Sequence, residues 1–220
     1  MALDLFALMI AVVGGRIVPA FTRNALQQAG EPATIAARPV LDLAAILSIA
    51  GLAGLDAAGI AGPLVGWFAL CAGAINAVRL AGWRTMQTLG SPILAVLHLG
   101  YAWLAAGLLG KAAASWEVLP ATAALHALAV GAVGTMTFAV MSRAALGHTG
   151  RPLRAAPLTV AAYLLISAAA LVRILLPPLA PDLTAEAFAA AGLLWSLACI
   201  AFLVVYAPIL VHPRRNGQAG

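Results

Sequence analysis

The chain has 220 residues, of which 64% are hydrophobic and only 9% charged, and its mean hydropathy is +1.03. Soluble domains carry about a quarter charged residues, so a water-soluble globular fold is excluded and burial in a bilayer is the remaining reading. Lys and Arg number 12 against 7 Asp and Glu, but the arginines are dispersed at the boundaries of apolar runs, which argues against a nucleic-acid partner and for a role in membrane topology.

Charge-poor runs define seven predicted helices, near residues 2–22, 40–57, 61–82, 91–110, 120–142, 155–176 and 186–211. At 1.5 Å per residue each can cross about 30 Å of hydrocarbon, the second only just. The first enters its apolar run at once, with Asp4 and no basic leader, which is unlike a signal peptide. The chain therefore reads as the C-terminal portion, or a short form, of a longer membrane protein. Arg38-Pro39, Ser91-Pro92 and Arg151-Pro152 set proline where a helix can begin, and Pro177-Pro178 cannot continue one. Gly59 and Gly62-Pro63 make the turn between the second and third helices. Asp182 and Glu186 place negative charge at the positive dipole end of the seventh.

Counting basic residues on alternate sides gives Arg16, Arg23, Arg38, Arg79, Arg84, Arg143, Arg151, Arg154, Arg214 and Arg215 on one, and Lys111 and Arg173 on the other. The positive-inside rule then puts the N-terminus outside and the C-terminus in the cytoplasm. The predicted architecture is an all-α polytopic transmembrane bundle of seven spans over residues 1–212, with a short cytoplasmic tail at 213–220. Cys71 and Cys199 both fall inside apolar runs, so they are expected to be reduced thiols rather than a disulfide staple.

Polar groups at membrane depth are costly and mark candidate sites. His98 in the fourth helix and His126 in the fifth are the clearest. Each can serve as an interhelical hydrogen-bonding group or as a ligand to haem iron or a transition metal. Their depths from opposite boundaries make chelation of one ion unfavourable and opposite axial ligation of a haem easier. Tyr101, three residues beyond His98, shares its face and can donate to a ligand or pack in the core. Met136, Met141, Cys71 and Cys199 offer soft sulfur to Cu(I), or simply pack. No CxxC or HExxH spacing supports zinc. Gly131 and Gly134 permit close helix packing or, alternatively, room for a flat macrocycle, and Gly62 and Gly66 form a weak GxxxG. Arg16 is placed to snorkel, or to pair with Asp42 or a haem propionate. Arg143, His148 and Arg151 end the fifth helix as topological anchors or a propionate clamp, and His212 lies in a wet tail.

The segments GGRIVPAFTRNAL at 14–26, SPILAVLHLGYAWL at 91–104, LHALAVGAVGTMTFAVMSRAALGHTGRP at 125–152 and VVYAPILVHPR at 204–214 together resemble the C-terminal half of the NnrS family. The resemblance implies a polytopic bacterial inner-membrane protein containing haem and copper and acting in the response to nitric oxide. It carries over Arg16, Pro19, Asn24, His98, Tyr101, His126, Thr135, Arg143 and His148 as characteristic positions, with His98 and His126 as the expected metal ligands. A histidine-rich N-terminal half of the family has no counterpart here, so a separate chain supplying those helices is an expected partner beside the lipid bilayer and nitric oxide itself. Two other classes compete with this reading. One is a transporter or channel component with a histidine-lined path, which lacks a visible internal repeat. The other is an assembly subunit without cofactor.

Overall fold

The computed structural model describes residues 2–32 and 34–214, is 83% helical and has no strand among them. Arg215 and the rest of the predicted tail beyond Arg214 lie outside the described residues. Seven helices are long and apolar enough to cross a membrane: α1 Ala2–Gln28, α2 Pro39–Ala57, α3 Pro63–Ala81, α4 Pro92–Ser115, α5 Ala121–His148, α6 Pro157–Leu179 and α7 Pro181–Val211. The bilayer forces this choice, because a helix satisfies its backbone groups internally where no water is present. Proline stands at the first helical position of α2, α3, α4 and α6, where its missing N–H costs nothing.

Several helices outrun their apolar segments. α1 continues to Gln28, α4 to Ser115 and α5 to His148, past Arg23, Lys111 and Arg143, because hydropathy marks the hydrocarbon layer and not the end of the hydrogen-bond ladder; α6 likewise runs through Pro177 and Pro178 to Leu179 instead of ending before them, the two prolines falling in its last turn. Two helices also change register inside the membrane. Ile10–Gly14 in α1 and Ala127–Gly134 in α5 are π-helical, a local widening that frees backbone carbonyls and recurs at functional sites.

The bundle is layered around α4, which has the largest buried share of any span, with α5 next; α2 and α7 lie at the edges. α3 and α5 both pack on α4, α2 on α3, and α6 pairs with α7. Glycine sets the α4–α5 distance. A methyl group on Gly107 would meet Leu128 side-chain carbons at 2.6 Å, and one on Gly100 would lie 3.1 Å from the Met136 backbone nitrogen. Of the predicted GxxxG pair, Gly66 does pack, against the Trp116 indole, whereas Gly62 has positive φ and forms the turn before α3. The space beside Gly131 and Gly134 is filled by the rings of Trp103 and Trp195, so packing accounts for both.

Candidate functional site

The densest buried polar structure lies among α1, α2, α3 and α4 at the arginine-rich end of the bundle. Its hub is Arg79 on α3, whose side chain is only 3% exposed. Arg79 Nε donates to Asp42 Oδ1 at 2.6 Å, and Nη1 donates to the Ala11 carbonyl at 2.7 Å and to the Tyr101 hydroxyl at 2.9 Å. Ala11 belongs to the π-helical turn of α1, so the guanidinium serves a carbonyl where the regular ladder is interrupted. The Tyr101 hydroxyl donates to Asn76 Oδ1 at 2.6 Å, and Asn76 Nδ2 donates to the Ala72 carbonyl at 2.8 Å. Gly15 faces the guanidinium so closely that a Cβ there would displace it.

Trp83, just beyond α3, joins this network to the histidine. Its ring centroid lies 4.5 Å from that of Tyr101 and 6.3 Å from that of His98, and Arg79 stands 5.6 Å above it. His98 is 1% exposed. Its Nε2 is 2.8 Å from Thr22 Oγ1 and its Nδ1 is 3.0 Å from Thr85 Oγ1. Thr22 spends its own proton on the Val18 carbonyl at 2.8 Å, so its oxygen accepts from Nε2–H and Thr85 donates to Nδ1. That assignment fixes the tautomer with hydrogen on Nε2 and uses both ring nitrogens.

The other expected ligand is elsewhere. His126 is half-buried near Phe188 of α7, with ring centroids 6.3 Å apart, and Arg173 caps the same phenyl ring at 4.3 Å. Because Gly107 faces Leu128 and Gly100 faces Met136, His126 lies level with residues 108–109 of α4. The two histidines are therefore separated by about 16 Å along the helix axes. The α4–α5 contact between them is closed by the glycine packing described above. No group of three or more His, Cys, Asp or Glu that could hold a metal occurs among the described residues. A haem shared by His98 and His126 does not fit this arrangement.

The remaining candidates divide between two other places. Arg16 is exposed and lines a cleft of about 250 Å³ beside Asp42, but the partner of Asp42 is Arg79 rather than Arg16. Arg143 and His148 line a groove of about 330 Å³ between α1 and α5, where the Arg143 guanidinium sits 3.9 Å over the Phe21 ring. His148 is exposed, and neither of its ring nitrogens has a hydrogen-bond partner among the described residues. Ile17 and Val140 continue the groove into a second space of about 240 Å³ lined by Met9, Met136 and Met141. Of the other characteristic positions, Thr135 is fully buried with an unpartnered hydroxyl, Asn24 is exposed and Pro19 lies within α1. Cys71 and Cys199 are free thiols and His212 is exposed.

A second polar cluster marks the opposite end of the bundle. Lys111 of α4 donates to Asp4 of α1 at 2.7 Å and also to Asp56 of α2. The start of α1 and the ends of α2 and α4 thus meet at one face, as alternating crossings require.

The profile of these segments, taken across nearly the whole chain, decides the family. Residues 1–214 match the model described as NnrS protein. The chain belongs to the NnrS family. No curated protein and no solved structure matches it. For this NnrS family member the sequence identified His98 and Tyr101 as buried polar residues, but not Arg79, Asn76 and Trp83, which complete their network. The available signal was the spacing of Asn76 and Arg79, three residues apart on one face of an otherwise apolar α3.

Proposed function

We propose that this multi-pass membrane protein acts in the bacterial inner membrane in the response to nitric oxide, and that its metal chemistry belongs to the α1–α5 groove rather than to the His98–His126 pair. The observation that supports this placement is the donor set of the groove. His148 supplies an imidazole with both nitrogens free of hydrogen bonds, beside Arg143, a fork suited to an acidic haem substituent. Deeper in the same groove, Met9, Met136 and Met141 supply the soft thioethers that suit Cu(I). The two spaces are of the size usual for ligand pockets, about 300–1,000 Å³ in all.

A metal bound there supplies a centre at which a diatomic ligand coordinates. The chain's own residues line the depth of the groove with apolar side chains, Ile17, Val140, Val133 and the methionines, into which uncharged nitric oxide can partition, while His148 stays exposed at its mouth. Arg143, held over Phe21, positions a positive charge at the mouth without blocking the depth.

The test is the absorption spectrum and metal content of detergent-purified protein from haem-replete cells, with any neighbouring membrane partner co-expressed. A Soret band that shifts on adding nitric oxide, is lost in His148→Ala, is weakened in Arg143→Gln and survives in His126→Ala is the expected result. Absence of iron and copper would overturn the metal reading. A band lost in His98→Ala and kept in His148→Ala would overturn the placement.

A further inference from the structure

At the arginine-rich end, Arg16 and Arg23 of α1 and Arg38 of the connection before α2 converge on the 250 Å³ cleft that Asp42 and the buried Arg79 also line. Asp42 is its one carboxylate, and that group is held by Arg79 Nε at 2.6 Å. Arg16, Arg23 and Arg38 make no hydrogen bond or ion pair among the described residues. Membrane topology requires arginines at this end of the bundle, but it doesn't require three of them to face one concavity with their only acid already engaged.

We propose that this cleft binds a phosphate group, either the phosphomonoester headgroup of an anionic lipid or free inorganic phosphate. Guanidinium forks match phosphate oxygens in geometry, and three of them around one small space exceed the charge of a single carboxylate. The cleft lies where the end of α3, the start of α2 and the 35–38 connection meet, at the end of the bundle where the apolar spans stop. Arg79 is a positioning residue. By holding Asp42 against α3 it keeps the carboxylate from neutralising the three free arginines.

Thermal unfolding of the purified full-length chain in detergent reads binding in two arms. One titrates sodium phosphate against sodium chloride at equal ionic strength; the other titrates phosphatidic acid against phosphatidylcholine in mixed micelles. A saturable rise in Tm in the lipid arm alone identifies the headgroup, in the phosphate arm alone the free ion, and in both the shared chemistry. Arg16→Gln, Arg23→Gln and Arg38→Gln each weaken the apparent affinity roughly tenfold, the loss of a charge-assisted bond. All three side chains are unpaired, so these variants fold. Arg154→Gln, exposed at the same end but outside the cleft, keeps full affinity. No saturable shift in either arm, or equal losses in Arg154→Gln and the cleft variants, overturns the proposal.

Discussion

The Asp42–Arg79 pair should respond asymmetrically to removal of its two members. The Arg79 side chain is 3% exposed and that of Asp42 is 44% exposed. Asp42→Leu leaves a guanidinium almost wholly enclosed without its counter-charge, the situation that costs about 3–5 kcal/mol in buried pairs. Arg79→Met leaves a carboxylate that still reaches the water of the cleft. Its main cost is the Ala11 carbonyl deprived of a donor, about 1–3 kcal/mol, because Tyr101 retains its bond to Asn76. The expected gap is about 2 kcal/mol in favour of Arg79→Met, or roughly 4–8 °C in Tm for a chain of this size. The double variant should recover much of the Asp42→Leu loss, since two apolar residues replace the ion pair. Heating the detergent-solubilised variants as fluorescent fusions and following the monodisperse peak measures all three. Equal losses in the single variants, or a double variant no better than Asp42→Leu, would refute the reasoning that burial of Arg79 dominates.

Three further outcomes follow from the same geometry. Thr22→Val should lower stability by about 1–3 kcal/mol by leaving His98 Nε2–H buried without an acceptor, whereas Thr22→Ser should be close to wild type; parallel melting curves compare them. Gly15→Ala must push the Arg79 guanidinium off the Ala11 carbonyl, so its destabilisation should largely vanish in an Arg79→Met background, and additive losses in that double-mutant cycle would contradict the contact. Gly107→Val forces the Leu128 side chain and the α4–α5 distance apart, and it should cost more than Gly147→Val on the same bundle, because a side chain at Gly147 meets nothing within 4 Å; melting curves rank the two.

The seven helices were legible because hydrocarbon imposes a composition on whatever crosses it. Their ends were less so: α1, α4 and α5 carry Arg23, Lys111 and Arg143 within the ladder, and a charge that closes an apolar run does not break a hydrogen-bonded helix. His98 and Tyr101 stood out as polar residues in an apolar run. Arg79 did not, since an arginine near a predicted helix end reads as a topological anchor. Its burial depends on the long-range approach of α1 and α2, which also decides that Asp42 meets Arg79 and not Arg16. The π-helical turns leave no periodicity signal distinct from that of an α-helix, so the carbonyl that Arg79 serves could not be foreseen.

The polar network and the α1–α5 groove place opposite demands on α4 and α5. A rigid buried network needs every donor matched, and around His98 this is achieved by Thr22 and Thr85, with Trp83 edge-on at 6.3 Å and a cavity of about 350 Å³ on the side of Leu99 and Tyr163. The groove has the reverse character: His148, Met9 and Met141 are exposed along it, and of its sulfur-bearing side chains only Met136 is packed in the core, beside Gly14 and Gly100. The glycine contacts that lock α4 to α5 carry this division through the bundle, since they close the route between the two histidines while the Ile17 and Val140 walls leave the α1–α5 side open. The Arg79–Tyr101–His98 network thereby supplies the fixed frame against which α1 is held.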